Sequence, residues 1–341
     1  MECGGFVLKT LKKACVFIGM VVGAGFASGR EITDYFLLFG DKWKAGMLLS
    51  GFLFLIVSTA VTDIINQNGI KTYSEYLDVV MGGKSAIFTE WVSGLFFFVM
   101  FFAMTAAAGS AAREIFGVNY WLGVAAILIV CSFIIQHGMK AVEIVSIILV
   151  PMLVLGITAI GVRSGEETIE VVDRGGSIVL SAFIYVSYNT ITAASVIAQS
   201  DRVNNRYDGI VTGILCGAAM AFMGYIIGRT ILSAGSDVLN TEIPFAAASR
   251  ELGNGYYMAY VAVFLASVLT TAVCDGMAAI DFAREKIHIS RERALAMLIV
   301  LALLFSFISF SDFVSKVYPL FGIAGVLQLM NTVKYYFIKK K

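Results

Sequence analysis

The stretch GMVVGAGFASGREITDYF, residues 19–36, decides how this chain is read. It lies inside an apolar run long enough to cross a bilayer. Yet it carries Gly19, Gly23, Gly25 and Gly29 and follows them with Arg30, Glu31 and Asp34. Residues without a Cβ tolerate open backbone conformations and weaken a helix. Unwinding around Gly23 and Gly25 would expose N–H groups that hold a carboxylate and carbonyls that hold a cation. Irregular backbone survives at membrane depth only against protein or a cavity. The alternative is a small-residue packing face, because Gly19 and Gly23, and Gly25 and Gly29, stand four apart. Packing alone leaves Arg30 and Glu31 unexplained, so a broken helix is expected here.

The rest of the chain sets this stretch in a membrane. Its 341 residues are 59% apolar and 14% charged, with a mean hydropathy of +0.85. That excludes a soluble globule and predicts an all-α polytopic membrane protein bathed in lipid. A net charge of +1 points to no nucleic-acid partner. Lys9, Lys12 and Lys13 before an apolar run resemble a signal peptide, but the run continues into charge and further spans follow. Cys3, Cys15, Cys131, Cys216 and Cys274 form no C-x-x-C pair and read as small core residues. His137 and His288 are the only imidazoles, which leaves no basis for a transition-metal centre. No nucleophile–base arrangement stands out, so neither an enzyme nor an organic cofactor is expected.

Apolar runs near the length that crosses a core of about 30 Å divide the chain into ten predicted spans. They are 11–40, 44–66, 86–112, 120–137, 141–162, 175–198, 207–232, 256–285, 292–309 and 312–336. Lys and Arg set the orientation. With the N-terminus inside, 16 of the 25 fall on inner segments, among them Lys71, Lys84, Lys140, Arg202, Arg206, Arg284, Lys286 and Lys339–Lys341. Both termini are therefore expected to be cytoplasmic, and the loop with Glu166, Glu167, Glu170 and Asp173 to face out.

The spans split into halves, 11–165 and 175–336, within a single membrane domain (1–341). TYSEYLDVVMGG (72–83) and EIPFAAASRELG (242–253) are short amphipathic stretches at matching places in each half. An odd number of spans per half makes the repeats inverted. The sixth span carries YVSYNTITAAS (185–195), where Ser187, Tyr188 and Asn189 interrupt an aliphatic run. Paired broken helices at matching places point to a transporter's binding site. At about 1.5 Å per residue, Gly23 and Ser187 each lie roughly 18 Å along their spans, near the midplane from opposite sides.

At these residues the chain resembles the amino acid–polyamine–organocation superfamily, whose members have the LeuT fold. More narrowly it resembles the YkvI-like bacterial membrane proteins. GAGFASGRE is the specific stretch, and the similarity covers essentially the whole chain. The resemblance implies ten transmembrane helices in a LeuT-like five-plus-five inverted repeat, with helices 1 and 6 broken, in a bacterial inner (cytoplasmic) membrane. Residues 265–294, LASVLTTAVCDGMAAIDFAREKIHISRERA, resemble the eighth helix of sodium-coupled members. That match implies a Na+ site from the hydroxyls of Thr270 and Thr271 and the carbonyls of Ser267, Gly19 and Val22. A hard cation wants about five or six oxygens, which such a set supplies. The other reading is that both threonines bond their own i−4 carbonyls. Asp275, one turn beyond Thr271, either balances a cation, carries a proton, or serves as a structural partner. Proton-coupled relatives carry a lysine in the fifth helix; residues 141–162 have none, and Glu143 lies too near the end to replace it. DPGN and MPH motifs are absent, so divalent-metal transport is not expected.

The solute site is expected at Gly23, Ala24, Gly25 and Phe26 of the first span. Tyr185, Ser187, Tyr188 and Asn189 of the sixth and Phe101 and Thr105 of the third complete it. No carboxylate sits at the centre of the third or sixth span, which favours a small neutral amino acid. Arg30, Glu31 and Asp34 form either an outer gate or a structural ion pair. The expected activity is sodium-coupled symport. The alternatives are a proton-coupled amino-acid transporter and an amino-acid-sensing subunit resembling germinant receptors. Substrate identity and oligomeric state are not encoded legibly.

Overall fold

Helix boundaries fall where the chain supplies caps. Thr72 accepts from the Glu75 amide while Glu75 accepts from the Lys71 amide, a capping box that starts a helix at Tyr73. Ser177, Ser290 and Ser309 likewise cap the helices that follow them. Gly69 ends a long helix in the left-handed region (φ 72°). The computed structural model describes the backbone of residues 2–137, 140–199, 205 and 207–338, and the side chains of these except 2–7, 137 and 140–147. Cys3, His137, Lys140, Glu143, Arg202, Arg206 and Lys339–Lys341 fall outside the described side chains.

The described chain is helical. In order, the elements are α1 Glu2–Val21, α2 Ala24–Ala27, α3 Arg30–Tyr35, α4 Trp43–Asn68, α5 Tyr73–Val80, α6 Gly83–Glu114, α7 Tyr120–His137 and α8 Lys140–Arg163. There follow α9 Ile178–Ile197, α10 Asp208–Ser233, α11 Pro244–Glu251, α12 Asn254–Lys286, α13 Arg291–Phe305, α14 Phe310–Asp312 and, after a π turn, α15 Tyr318–Ile338. Among the described residues six segments are long and apolar enough to cross a membrane: Leu37–Asn68, Gly83–Glu114, Ile178–Ile197, Asp208–Ser233, Asn254–Lys286 and Phe310–Ile338. Tyr120–Gln136 and Ile148–Arg163 are shorter apolar helices. The stretches 72–83 and 242–253 do form short helices, α5 and α11.

Small-residue packing draws two of these helices together. It joins α10 to α4. A Cβ on Gly213 would lie 2.0 Å from Thr59 Oγ1, and one on Gly217 would lie 2.5 Å from the Gly51 carbonyl. Gly209, Gly213 and Gly217 thus let two backbones touch where lipid offers no hydrophobic drive to associate. Cys131, Cys216 and Cys274 are buried, and Cys15 half-buried, as core residues of this kind should be.

One expectation is corrected. The sixth span is not broken at 187–189; α9 runs without interruption from Ile178 to Ile197. It contains neither glycine nor proline, so nothing forces it open. Its polar side chains turn back on their own helix: Asn189 Nδ2 donates to the Tyr185 carbonyl (2.9 Å), Thr190 to Val186 (2.7 Å) and Ser195 to Thr192 (2.7 Å). Such back-bonding lets a helix carry hydroxyls and an amide through lipid intact.

The bundle has two distinct ends. At one, Lys13, Asn66 and Asp208 meet. At the other, the loop 164–177 lies on the bundle through Thr168 N–H to Leu232 O and Arg174 N–H to Leu38 O. Lys42 beside Asp173 in that loop holds its exposed carboxyl below the usual carboxylate range. Arg229 reaches the Gly165 carbonyl (3.3 Å), and Asp63 accepts from the Tyr336 hydroxyl (3.0 Å).

Candidate functional site at the break in the first helix

The hydrogen-bond ladder of α1 ends with Val22 N–H to Ile18 O (2.7 Å) and resumes only with Ala27 N–H to Gly23 O (2.9 Å). Gly23 between them is extended (φ −75°, ψ −171°). Gly29, at φ +79°, makes a second break before α3. The carbonyls of residues 19–22 and the amides of 23–26 therefore stand outside the ladder.

One freed carbonyl, and others between the two breaks, find partners. Ser267 Oγ of α12 donates to the Val22 carbonyl (2.8 Å). Tyr260 OH donates to Ala27 O (2.8 Å), Phe245 N–H to Ser28 O (2.7 Å) and Ser28 Oγ to Gly25 O (2.9 Å). Thr271 faces Gly23, where an added Cβ would lie 3.1 Å from its Oγ1. That hydroxyl is buried and has no hydrogen-bond partner. Asp275, one turn on, is 1% exposed, and neither of its oxygens has a partner.

Thr270 bonds back onto its own helix. Its hydroxyl lies 3.0 Å from both the Ala266 and the Ser267 carbonyls of its own helix. At about 100° per residue the two threonines flank the direction of Ser267, Thr270 on one side and Thr271 on the other. Gly19 contributes a carbonyl outside the ladder and nothing more. Ala24 and Phe26 are fully buried in α2.

Beyond the break, Glu31 folds back over Gly25, so closely that a Cβ there would lie 2.2 Å from Oε1. The residue is 3% exposed, and Oε2 has no partner. Around it stand Tyr35, Tyr185, Tyr188 and Tyr318, whose hydroxyls are all buried and unpartnered. Ring centroids lie 5.6 Å apart for Tyr35–Tyr185, 5.7 Å for Tyr35–Tyr188 and for Tyr185–Tyr188, and 5.4 Å for Tyr188–Tyr318. Glu31 acts electrostatically on all four. The Tyr188 hydroxyl approaches it, but no hydrogen bond closes between them.

Of the sixth-span candidates, Tyr185 and Tyr188 thus join the break. Ser187 is turned to α15, its hydroxyl shared between the Ile184 and Gly322 carbonyls. Asn189 spends its amide on its own helix. In the third span, Phe101 packs on Gly276 beside Asp275, and Thr105 bonds back to the Phe101 carbonyl (2.9 Å). Tyr35 and Tyr318 were missed. Tyr35 had a signal, since it stands one turn from Glu31 on the same helix.

Arg30 lies at one end, tied to the segment before α11. It grips Asp34 with two bonds (Nε to Oδ2 3.0 Å, Nη2 to Oδ1 2.9 Å) and reaches the Leu239 (3.1 Å) and Thr241 (3.3 Å) carbonyls. At the other end a cavity of about 150 Å³ opens between Tyr73, Glu90, Ser195, Gln199 and Asp281. Lysine keeps the charge of Arg30 but not its planar fork. We expect Arg30→Lys to raise the rate of maleimide labelling at a cysteine replacing the fully buried Ser28 by about tenfold, in a chain otherwise free of cysteine. An unchanged rate would exclude Arg30 as a closure.

No protein-family model matches the chain. It is 25% identical over 318 residues to the uncharacterized membrane protein YkvI of Bacillus subtilis (strain 168), covering 91% of each. It is 22% identical over 336 residues to the uncharacterized protein YyaD of the same organism, covering 97% of this chain and 98% of that one. Among solved structures it superposes on MhsT in complex with L-phenylalanine with a TM-score of 0.65, at 14% identity, covering 96% of this chain and 88% of MhsT. It also superposes on Mhp1, a nucleobase-cation-symport-1 family transporter closed on bromovinylhydantoin. There the TM-score is 0.64 at 13% identity, covering 97% and 78% of the two chains. A manganese transporter from Eremococcus coleocola follows, with a TM-score of 0.60 at 11% identity, covering 95% and 78%. Identities this low speak to fold alone. The chain shares the LeuT fold of these neighbours and is similar to the membrane protein YkvI over nearly its whole length.

Proposed function

We propose that the chain is a secondary active transporter that carries a small amino compound across the bacterial cytoplasmic membrane by alternating access, with sodium as coupling ion. The observation that carries this reading is the break at Val22–Gly23, lined by carbonyls outside the ladder and faced by the unpartnered Thr271 hydroxyl. Ten spans in two inverted five-helix halves, 11–165 and 175–336, with both termini cytoplasmic, fit that mode of action. The Arg30 closure at one end and the cavity at the other fit a state closed outward.

Sodium at the break would take the Thr271 hydroxyl and carbonyls from the 19–22 run, with Ser267 steering Val22. Thr271→Ala is expected to weaken the sodium dependence of uptake into proteoliposomes at least tenfold, whereas Thr270→Ala changes it by less than about threefold. Equal effects of the two would remove the site from this face of α12. Uptake indifferent to a sodium gradient would remove sodium altogether.

Asp275 favours a second reading, proton coupling, because it is a buried carboxylate without a partner one turn from Thr271. Uptake driven by a proton gradient in sodium-free buffer, and lost in Asp275→Asn, would select it.

A further inference from the structure

The central carboxylate of this site comes from the first span, not from the third or sixth, at whose centres none occurs. Glu31 is carried inward by the two breaks and laid over Gly25. Among the described residues no lysine or arginine pairs with it; Arg30, its neighbour, is committed to Asp34 and two carbonyls. A carboxyl buried within a bilayer without an ionic partner takes up a proton or pairs with a cation.

Its surroundings choose the kind of cation. A bare metal ion asks for a shell of oxygens. Here the walls are the rings of Tyr35, Tyr185, Tyr188 and Tyr318, set at mutual angles of 47–86°. Faces of tyrosine attract ammonium groups, and their hydroxyls accept N–H bonds. All four hydroxyls are buried and lack partners, so the cluster holds acceptors in reserve. The amides of residues 23–26 would suit a solute carboxylate, but Glu31 Oε1 already covers Gly25. A second carboxylate there would meet like charge. In the present state the rings touch one another, so a ligand must part them.

Resting on the transporter reading above, we propose that the solute is a small organic ammonium ion lacking a carboxylate, with Glu31 as its counter-ion and Tyr35, Tyr185, Tyr188 and Tyr318 as its walls. This replaces the neutral amino acid that the third and sixth spans suggested.

The test is thermal unfolding of the purified full chain in detergent with n-butylamine, tetramethylammonium, L-leucine or butyrate, in sodium and in potassium chloride. At least one ammonium probe is expected to raise Tm by several degrees, and butyrate to leave it unchanged. Glu31→Gln should abolish that shift. Tyr188→Phe, which keeps the ring, should hold affinity within about twofold, and Tyr188→Leu should weaken it about tenfold. If Glu31→Gln does not fold, the contrast between the two Tyr188 variants makes the same decision. An ammonium shift that survives Glu31→Gln, no shift with either ammonium probe, or stabilisation by L-leucine instead would each overturn the proposal. Sodium-driven uptake of L-leucine with no response to amines would overturn it and leave the transporter standing. Glu31-dependent amine binding without any uptake would do the reverse.

Discussion

Lys13→Met is expected to cost about 3–5 kcal/mol of folding stability, the range for breaking a buried ion pair. Asp208, 0% exposed at the start of α10, accepts Lys13 Nζ (2.8 Å), Thr10 Oγ1 (2.6 Å) and Asn66 Nδ2 (2.8 Å). Lys13 donates a second bond to Asn66 Oδ1 (2.8 Å). Removing the ammonium strands a carboxylate with no route to water. Replacing both charges should recover most of the loss, because a buried pair is worth little more than its neutral isosteres. Denaturant unfolding in detergent of Lys13→Met, Asp208→Asn and the double variant measures this. Single variants within 1 kcal/mol of the parent, or a double variant equal to the sum of the singles, would contradict it. The network also fixes the part of α1 before the break to α4 and α10, so that this segment moves with them.

The break in the first helix was legible because Gly23, Gly25, Arg30 and Glu31 each conflict with an ordinary span. The supposed break in the sixth was not real, since polarity was read as irregularity. Ser187 and Asn189 are polar, but their side chains satisfy themselves on carbonyls, and no glycine invites unwinding. The choice between Thr270 and Thr271 was open to a finer reading. Tyr260, Ser267, Thr271 and Asp275 recur at helical spacing along one stripe, with Thr270 at its edge. The first two bond to Ala27 and Val22, which identifies the stripe as the face towards α1 and α2.

What could not be read was partnership at long range. Lys13 and Asp208 are 195 residues apart, and Arg30 and Leu239 are 209 apart. Lys13 read only as a charge ahead of the first apolar run, and nothing in the sequence joined Arg30 to the Leu239 carbonyl. Glu31 was grouped with Arg30 and Asp34 as a gate or an ion pair; its side chain lies over Gly25, while Arg30 holds Asp34.

Gly25→Ala is expected to lower solute affinity at least tenfold and to destabilise the chain by about 1–3 kcal/mol, the usual range for an overfilled core. No positive φ bars alanine at this position, since only Gly29 in the segment has one. The obstacle is space: the new methyl would lie 2.2 Å from Glu31 Oε1, 2.6 Å from Cδ and 2.9 Å from Cγ, so the whole end of the side chain must leave. Glu31→Ala empties that space. On an Glu31→Ala background, Gly25→Ala should therefore cost almost nothing in stability, and the pair should be strongly non-additive. Gly23→Ala is the control, because its methyl would meet Thr271 at 3.1 Å, tight enough to perturb the hydroxyl without displacing it. It should shift sodium dependence more than solute affinity. If Gly25→Ala costs the same with and without Glu31, the carboxylate does not occupy the break, and both the counter-ion role and the exclusion of a solute carboxylate lose their footing.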